Sequence, residues 1–540
     1  MVGVNPQSIA KDIASVKAGG YFVYDNTRPL HPDLQRGDIH FIGIPMMQLS
    51  MEHYELPRLQ QLYKNIIYVG ALAALLNIEM EVVKNILHEQ FADKPKLIPD
   101  NYKALDLGFQ YAMEHFTCPL PYKVARMDAL GDSIMMEGNE ATGLGAVYGG
   151  ATMMGWYPIT PSTSVAKAFE TYCKQYRKDA DGLNQYAFVQ AEDELAAIGM
   201  VIGAAWNGAR AFTATSGPGV SLMSEFIGLA YFAEIPATIV NVQRGGPSTG
   251  MPTRTQQADI LSSVYASHGD TRHIALFPST PTECFEMMAH CLDLADRFQT
   301  PVFLMTDLDL GMNSHLCPPL VWDDHRRYDR GKVLHAEDFD HDIAWGRYLD
   351  SDNDGICYRT LPGTHPTKGA FFTRGTSRDE YARYTEDGET YVRIVNRLLK
   401  KWNTAKDYVP APRIIKSGEP TDVGIVFFGT TRYAALEAID ILRAEGVVVD
   451  AMRIKAVPFN QEVGDFIRDH EQLFIIEQNR DAQMRTLLIN ELGVDSRKMT
   501  PILHYDGMPI TADAIVKGYY SRLLPCITPI NLCITFKKVL

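Results

Sequence analysis

The chain has 540 residues, 46% of them apolar and 21% charged, with no biased tract. That length is too great for one hydrophobic core and implies roughly three or four domains. The net charge of −14 argues against a nucleic-acid or anionic-membrane partner, while leaving room for local basic sites that hold small anions.

The longest apolar run, Ile66 to Leu76, is too short to cross a bilayer. The start, "MVGVNPQSIAKD", lacks the charged and apolar regions of a signal peptide, so a cytoplasmic location is expected. None of the eight cysteines has C-x-x-C spacing, and no run matches an iron–sulfur or zinc ligand set. Buried reduced thiols are expected, with any electron-carrying cluster on another chain.

In chain order, "GGYFVYD" and "IHFIGIP" read as strands, and Asn65 to Phe91 as two helices meeting near Asn77. A βα segment of about 1–95 is followed by a connector with Pro95, Pro99, Pro119 and Pro121, giving a first domain of 1–132. Residues 133–318 alternate regularly. "GNEATGLGAVYGGA" reads as a helix, "TMMGWYPIT" as a strand, "STSVAKAFETYCKQY" as a helix, "YAFVQ" as a strand and "EDELAAIGMVIGAAWNG" as a helix. "ARAFTAT", "PATIVNVQ", "HIALFP" and "TPVFLMTD" read as further strands, with "SGPG" opening a helix and "RGGPSTG" a polar loop. The pattern predicts an open, doubly wound parallel sheet whose ligands bind at the carboxyl ends of strands. Residues 319–420 break the alternation and read as an insertion. Residues 421–540 form another βα unit with an apolar tail, Ser521 to Leu540, that should dock on something.

Three strand ends of the middle segment carry chemistry-bearing residues: Thr160, the Ser216-Gly217-Pro218-Gly219 turn, and Arg244 before a glycine-rich loop. In "YPITPST", Thr160 can cap the next helix and Pro161 suits its first position, and capping alone accounts for those residues. Glu192, Asp193 and Glu194 open a helix, where acids complement the macrodipole. Ala196, Gly199, Gly203 and Ala204 share one face of that helix, which allows close approach to another backbone. Glu194 is nearest in phase with this seam, so its burial is expected, and a buried carboxylate needs a partner.

The stretches "YPITPST", "QAEDELAAIG", "TATSGPGVSLMSE" and "VQRGGPSTGMPTRTQQAD" resemble the α subunits of the 2-oxoacid:ferredoxin oxidoreductase family, in order and over nearly the whole chain. Specifically, the pattern resembles that of the subunit acting on 2-oxoglutarate. The resemblance implies an α/β fold of several doubly wound parallel-sheet domains: a γ-type domain, a pyrimidine-type thiamine-diphosphate domain and a transketolase C-terminal-like domain. It implies thiamine diphosphate as cofactor and coenzyme A as co-substrate. Glu194 matches the carboxylate that promotes loss of the cofactor's C2 proton. Tyr157, Pro158, Ser216 and Gly217 fall on cofactor-binding positions, and Thr160 and Arg244 on substrate-binding ones. A guanidinium fork suits the carboxylate of a 2-oxoacid.

No "GDG…N" motif is present; Gly131-Asp132-Ser133 lacks the second glycine. The diphosphate site, its Mg²⁺ and a [4Fe-4S] cluster are therefore expected on a β subunit in an (αβ)₂ heterotetramer that passes electrons to ferredoxin. Met1 leads almost at once to Asn5-Pro6, which implies a shortened γ-type domain or a late recorded start. For a distal substrate carboxylate, Arg254, Arg272 and His268 are candidates. In the insertion, "DSDNDG" places Asp350, Asp352 and Asp354 at calcium-loop spacing, although position twelve is Leu361, so either an oxygen-ligated metal or a solvated acidic turn fits. The rivals are a broad-range or branched-chain 2-oxoacid oxidoreductase and, in another class, a non-catalytic assembly subunit.

Overall fold

The computed structural model describes residues 1–340 and 345–523. The expected docking of the tail, with Cys526 and Cys533, lies outside the described residues. The other six cysteines are free thiols, five of them buried. Two compact units emerge, Met1–Gly131 and Asp132–Leu540.

The first unit has a three-stranded parallel sheet of Val2–Gly3, Tyr21–Asp25 and His40–Ile44. Helices Pro57–Leu76 and Met80–Gln90 meet where expected, through Asn77 in the left-handed conformation at φ 55°. The proline connector was misread. Ile98–His115 is an 18-residue helix, with Pro99 in the first turn where a missing N–H costs nothing. It crosses Pro57–Leu76 through Gly70 and Gly108, where any Cβ would strike the carbonyls of Leu105 and Ile67.

The second unit is built on a seven-stranded sheet. Its order is Ala456–Val457, Ile274–Leu276, Pro301–Asp307, Ala237–Gln243, Ala211–Thr215, Met153–Trp156, Ala187–Gln190. All pairs are parallel except the first, which joins Ala456–Val457 antiparallel to Ile274–Leu276. Every residue of Ala237–Gln243 and Pro301–Asp307 is buried, so helices cover both faces. Ile239, Val240, Val242, Phe303 and Leu304 are fully inaccessible, each stabilising the fold by about 1.5–3 kcal/mol. A five-stranded sheet follows, ordered Arg413–Ile415, Asp450–Ile454, Val423–Phe428, Gln472–Glu477, Met499–Leu503, with only its first strand antiparallel.

Candidate functional site

Four neighbouring strands of the seven-stranded sheet end at one place. Ala237–Gln243 leads into Arg244, Ala211–Thr215 into Ser216, Met153–Trp156 into Tyr157–Thr160, and Ala187–Gln190 into Glu192–Glu194. The hydrophobic run of each strand fixes its register, and the polar residue after the last ladder bond is delivered to the sheet's carboxyl edge.

Glu194 is the first residue of helix Glu194–Trp206. The cap is made by exposed Asp193, whose carboxylate accepts from the Ala196 N–H at 2.7 Å, so Glu194 is released from that task. Glu194 is 6% exposed, yet its carboxylate enters no hydrogen bond or ion pair among the described residues. The glycine-seam argument for its burial fails. A Cβ on Gly203 would meet only open space and one on Gly199 only the Phe226 ring, so that face approaches no backbone. The buried stripe is instead Glu194, Ala197, Ile198, Val201, Ile202 and Ala205. The tight contact comes from Gly155, where a Cβ would lie 2.7 Å from the Ala197 carbonyl oxygen. That spacing brings the strand carrying Tyr157–Thr160 close against the helix carrying Glu194. On another side, Gly219 leaves room for the Glu194 stem, since its Cβ would stand 2.9 Å from Glu194 Cγ.

Thr160 does not cap a helix. Helix Thr163–Tyr176 starts after Ser162, which makes no side-chain cap bond, and Pro161 precedes it. The turn is closed by the Ile159 carbonyl, which accepts from the Ser162 and Thr163 N–H groups at 2.9 and 3.1 Å, and Asn139 holds the Pro161 carbonyl at 2.8 Å. The Thr160 hydroxyl is left exposed without a partner among the described residues. Its carbonyl accepts from Arg244 Nη1 at 2.5 Å. Arg244 is 7% exposed, its Nε has no acceptor and no hydrogen bond leaves Nη2, so one edge of the guanidinium fork is open. Ser216 is fully buried with an unpartnered Oγ. Tyr157 is half-buried and Pro158 exposed on the same strand end.

Asp259 was given no role by sequence reasoning, although it closes the quoted "TRTQQAD" stretch. Its backbone N–H donates to Gln243 Oε1 at 3.0 Å, and its Oδ2 accepts from Asn241 at 3.3 Å. A Cβ on Gly217 would lie 2.6 Å from that oxygen. Burial pushes its carboxyl up to about 6, against the opposing pull of Asn241 and the Arg244 charge. Nothing in the strand pattern announces this residue, because the loop between Arg244 and Asp259 must fold back first. Of the candidate distal cations, Arg272 pairs with Glu491 at 3.4 Å and His268 with Glu225 at 3.5 Å, while exposed Arg254 donates to the Thr253 carbonyl at 3.0 Å.

Residues 144–341 match the family described as pyruvate flavodoxin/ferredoxin oxidoreductase, thiamine diphosphate-binding, and residues 1–111 match pyruvate ferredoxin/flavodoxin oxidoreductase. The chain is 31% identical over 482 residues to 2-oxoacid:ferredoxin oxidoreductase 1, subunit alpha, of Aeropyrum pernix, covering 88% of this chain and 73% of that one. The chain belongs to this family. It is also 33% identical over 350 residues to 2-oxoglutarate synthase subunit KorA of Methanocaldococcus jannaschii, covering 61% of this chain and 84% of the relative. A solved structure, 2-oxoglutarate:ferredoxin oxidoreductase from Magnetococcus marinus with 2-oxoglutarate, coenzyme A and succinyl-CoA bound, superposes with a TM-score of 0.82 at 30% identity, over 97% of this chain and 87% of that one.

A 2-oxoacid:ferredoxin oxidoreductase α subunit has a thiamine-diphosphate-binding domain, and the residues present fit the pyrimidine end of that cofactor. The carboxylate of Glu194, accessible and without a partner on a residue that is 6% exposed, a buried hydroxyl without a partner and a glycine that leaves room beside them form a cradle for a polar ring. No three His, Cys, Asp or Glu side chains converge as metal ligands among the described residues.

The metal expected at Asp350, Asp352 and Asp354 is corrected. Lys332 Nζ lies 2.7 Å from Asp352 and 2.9 Å from Asp354, so an ammonium occupies the centre of the loop. Asp350 turns its two oxygens to the N–H groups of Asp354 and Gly355, both at 3.0 Å. Also among the described residues, no helix is long and apolar enough to cross a membrane.

Proposed function

We propose that this α subunit serves a 2-oxoglutarate:ferredoxin oxidoreductase, converting 2-oxoglutarate, coenzyme A and two oxidised ferredoxins into succinyl-CoA, CO₂ and two reduced ferredoxins. The observation that carries this reading is the open guanidinium edge of Arg244 tied to Thr160, in the same strand-end cluster as the partnerless carboxylate of Glu194. Thiamine diphosphate, when bound, supplies a nucleophilic carbon for the 2-keto carbon and a sink for the electrons left by CO₂. Glu194 takes the pyrimidine ring and holds a proton there. Tyr157, Pro158, Ser216 and Gly217 line the same pocket. Arg244 grips the substrate's 1-carboxylate with Nε and Nη2, and the Thr160 hydroxyl donates to the neighbouring keto oxygen.

In this reading residues 1–132 act as the γ-type domain and 133–318 hold the pyrimidine half of the site. Residues 319–420 are an insertion, and 421–540 form the transketolase-C-like domain. A β subunit supplies the diphosphate site, Mg²⁺ and a [4Fe-4S] cluster in a cytoplasmic (αβ)₂ complex. The preference for 2-oxoglutarate is supported by the likeness to the M. jannaschii 2-oxoglutarate synthase subunit and to the M. marinus structure. A broad-range 2-oxoacid specificity is the second reading, favoured by the pairing of Arg272 and His268 with glutamates, which withholds two cations from a distal carboxylate.

Coenzyme A-dependent ferredoxin reduction by the co-expressed αβ complex tests both. A kcat/KM for 2-oxoglutarate at least about tenfold above pyruvate and 2-oxoisovalerate, roughly 1.4 kcal/mol, supports the first reading. Equal values install the second, and turnover by the α chain alone overturns the shared site.

A further inference from the structure

Helix Ile260–Val264 starts directly after Asp259. An aspartate in that position ordinarily accepts from the backbone N–H of the second or third helical residue. Asp259 makes no such bond among the described residues. Its Oδ2 instead accepts from Asn241 at 3.3 Å, and a Cβ on Gly217 would lie 2.6 and 2.8 Å from its two oxygens. The carboxylate therefore rests against the start of helix Gly217–Ala233, where the macrodipole favours an anion, and it feels the charge of Arg244.

The missing cap comes from the end of a strand in the other sheet. Gln483 opens helix Gln483–Leu492, which follows strand Gln472–Glu477 of the five-stranded sheet. Its Oε1 accepts from the Leu261 N–H at 3.1 Å, the bond that Asp259 leaves unmade, and its Nε2 donates to the Ala258 carbonyl at 2.7 Å. One side-chain amide thus holds the backbone on both sides of Asp259. Asn479 donates from Nδ2 to the Gln257 carbonyl at 3.1 Å and accepts from the Gln483 N–H at 3.2 Å. The buried carboxylate of Glu477 serves Gln483's own helix, accepting from the Met484 and Arg485 N–H groups, both at 2.8 Å. From the site's side, the Asp259 N–H donates to Oε1 of Gln243, the residue before Arg244, at 3.0 Å.

We infer that Gln483 is a positioning residue of the candidate site: by capping helix Ile260–Val264 in place of Asp259, it keeps the Asp259 carboxylate turned toward Asn241, Gly217 and Arg244. The arrangement parallels the one at Glu194, where Asp193 makes the cap and the neighbouring acid is left for the site. Without the Gln483 amide the Leu261 N–H needs a new acceptor, and Asp259 stands in the capping position to become it. Its carboxylate then swings onto the helix, and Arg244 loses the negative charge beside it. The consequence for turnover rests on the proposed role of Arg244: a looser grip on the substrate carboxylate raises KM and leaves kcat in place.

The test uses the αβ complex with Gln483→Met, which keeps length and bulk and removes both bonds. Its crystal structure should show the Asp259 carboxylate accepting from the Leu261 or Ser262 N–H, and a carboxylate still held by Asn241 overturns the inference. KM for 2-oxoglutarate should rise roughly 5- to 20-fold, with kcat within about twofold of the parent. Asp259→Asn should raise KM to a similar degree, and the double variant should be no worse than the more affected single one, because one residue acts through the other. Effects that multiply overturn the inference, as does a KM that stays put in Gln483→Met while Arg244→Lys raises it. If Arg244→Lys leaves KM alone as well, the substrate assignment falls, and the position of Asp259 in the variant structure still decides the inference. Should Gln483→Met fail to assemble, Gln483→Asn, one methylene too short to reach both backbone groups, takes its place with the same expected outcomes.

Discussion

Two buried glutamates lie near opposite ends of adjacent helices, and they are treated in opposite ways. Glu234 follows helix Gly217–Ala233 in a left-handed conformation and is gripped by Arg397 and Lys401, with Arg378 at 3.8 Å. Glu194 opens helix Glu194–Trp206 as a buried residue whose carboxylate has no hydrogen-bond partner among the described residues. A structural charge is tied down by its own chain. A carboxylate left open in a crevice is free to receive a group from outside the chain, as the proposed function requires of Glu194.

The sharpest break of this contrast is Glu194→Gln. It keeps shape and removes charge, so turnover should fall by about 10³-fold or more, roughly 4 kcal/mol, with the melting temperature at or above that of the parent. Hydrogen–deuterium exchange at the C2 of bound thiamine diphosphate should slow with it. Unchanged exchange would move the role to another acid.

Glu234→Gln should do the reverse. It leaves its buried cations without an acid, and denaturant unfolding of the α subunit should show a loss of about 3–5 kcal/mol, while kcat and KM per folded molecule stay put. Burial alone would raise the Glu234 carboxyl, but the charges of Arg397 and Lys401 and the bond from Arg397 outweigh it and hold it well below the ordinary range. Its contribution is therefore complete above the unfolded-state value of about 4.3 and declines as the pH drops below that. Acid titration of stability should be flatter in the variant, and equal slopes would contradict the pairing.

Arg244→Lys tests the open edge with a smaller expected effect. The charge stays but the two-pronged grip and the bond to the Thr160 carbonyl are lost. The resulting drop in kcat/KM should be about 2–4 kcal/mol, some 30- to 1,000-fold, mostly in KM. A pure kcat effect would mean that Arg244 does not hold the ground-state substrate.

The strands were legible because runs such as "PATIVNVQ" and "TPVFLMTD" are apolar without alternation, as buried parallel strands must be. Helix Ile98–His115 was hidden by prolines that read as a connector but sit where a helix tolerates them. Strand ends can be read from sequence, so Thr160, Ser216, Glu194 and Arg244 could be placed at one edge. The link between the Thr160 carbonyl and Arg244 could not, because it joins residues 84 positions apart. The acidic loop misled for the same reason. Its cation is Lys332, 22 residues before Asp354, and spacing within six residues says nothing about a lysine arriving from elsewhere. The phase of the glycines on helix Glu194–Trp206 was read as a packing seam, whereas Gly155 on the strand provides the close approach.

That contact at Gly155 has a practical side for anyone reshaping substrate choice. A methyl group there would push the Ala197 backbone away and with it the platform under Glu194, so residues 155 and 197 are a fixed chassis. Residues 246–254 are exposed at every position and spring from a buried Arg244, so a library of altered sequences belongs there. Gly250 is the exception within it, since a Cβ there would stand 2.0 Å from the Gly245 carbonyl oxygen and break the turn that follows Arg244.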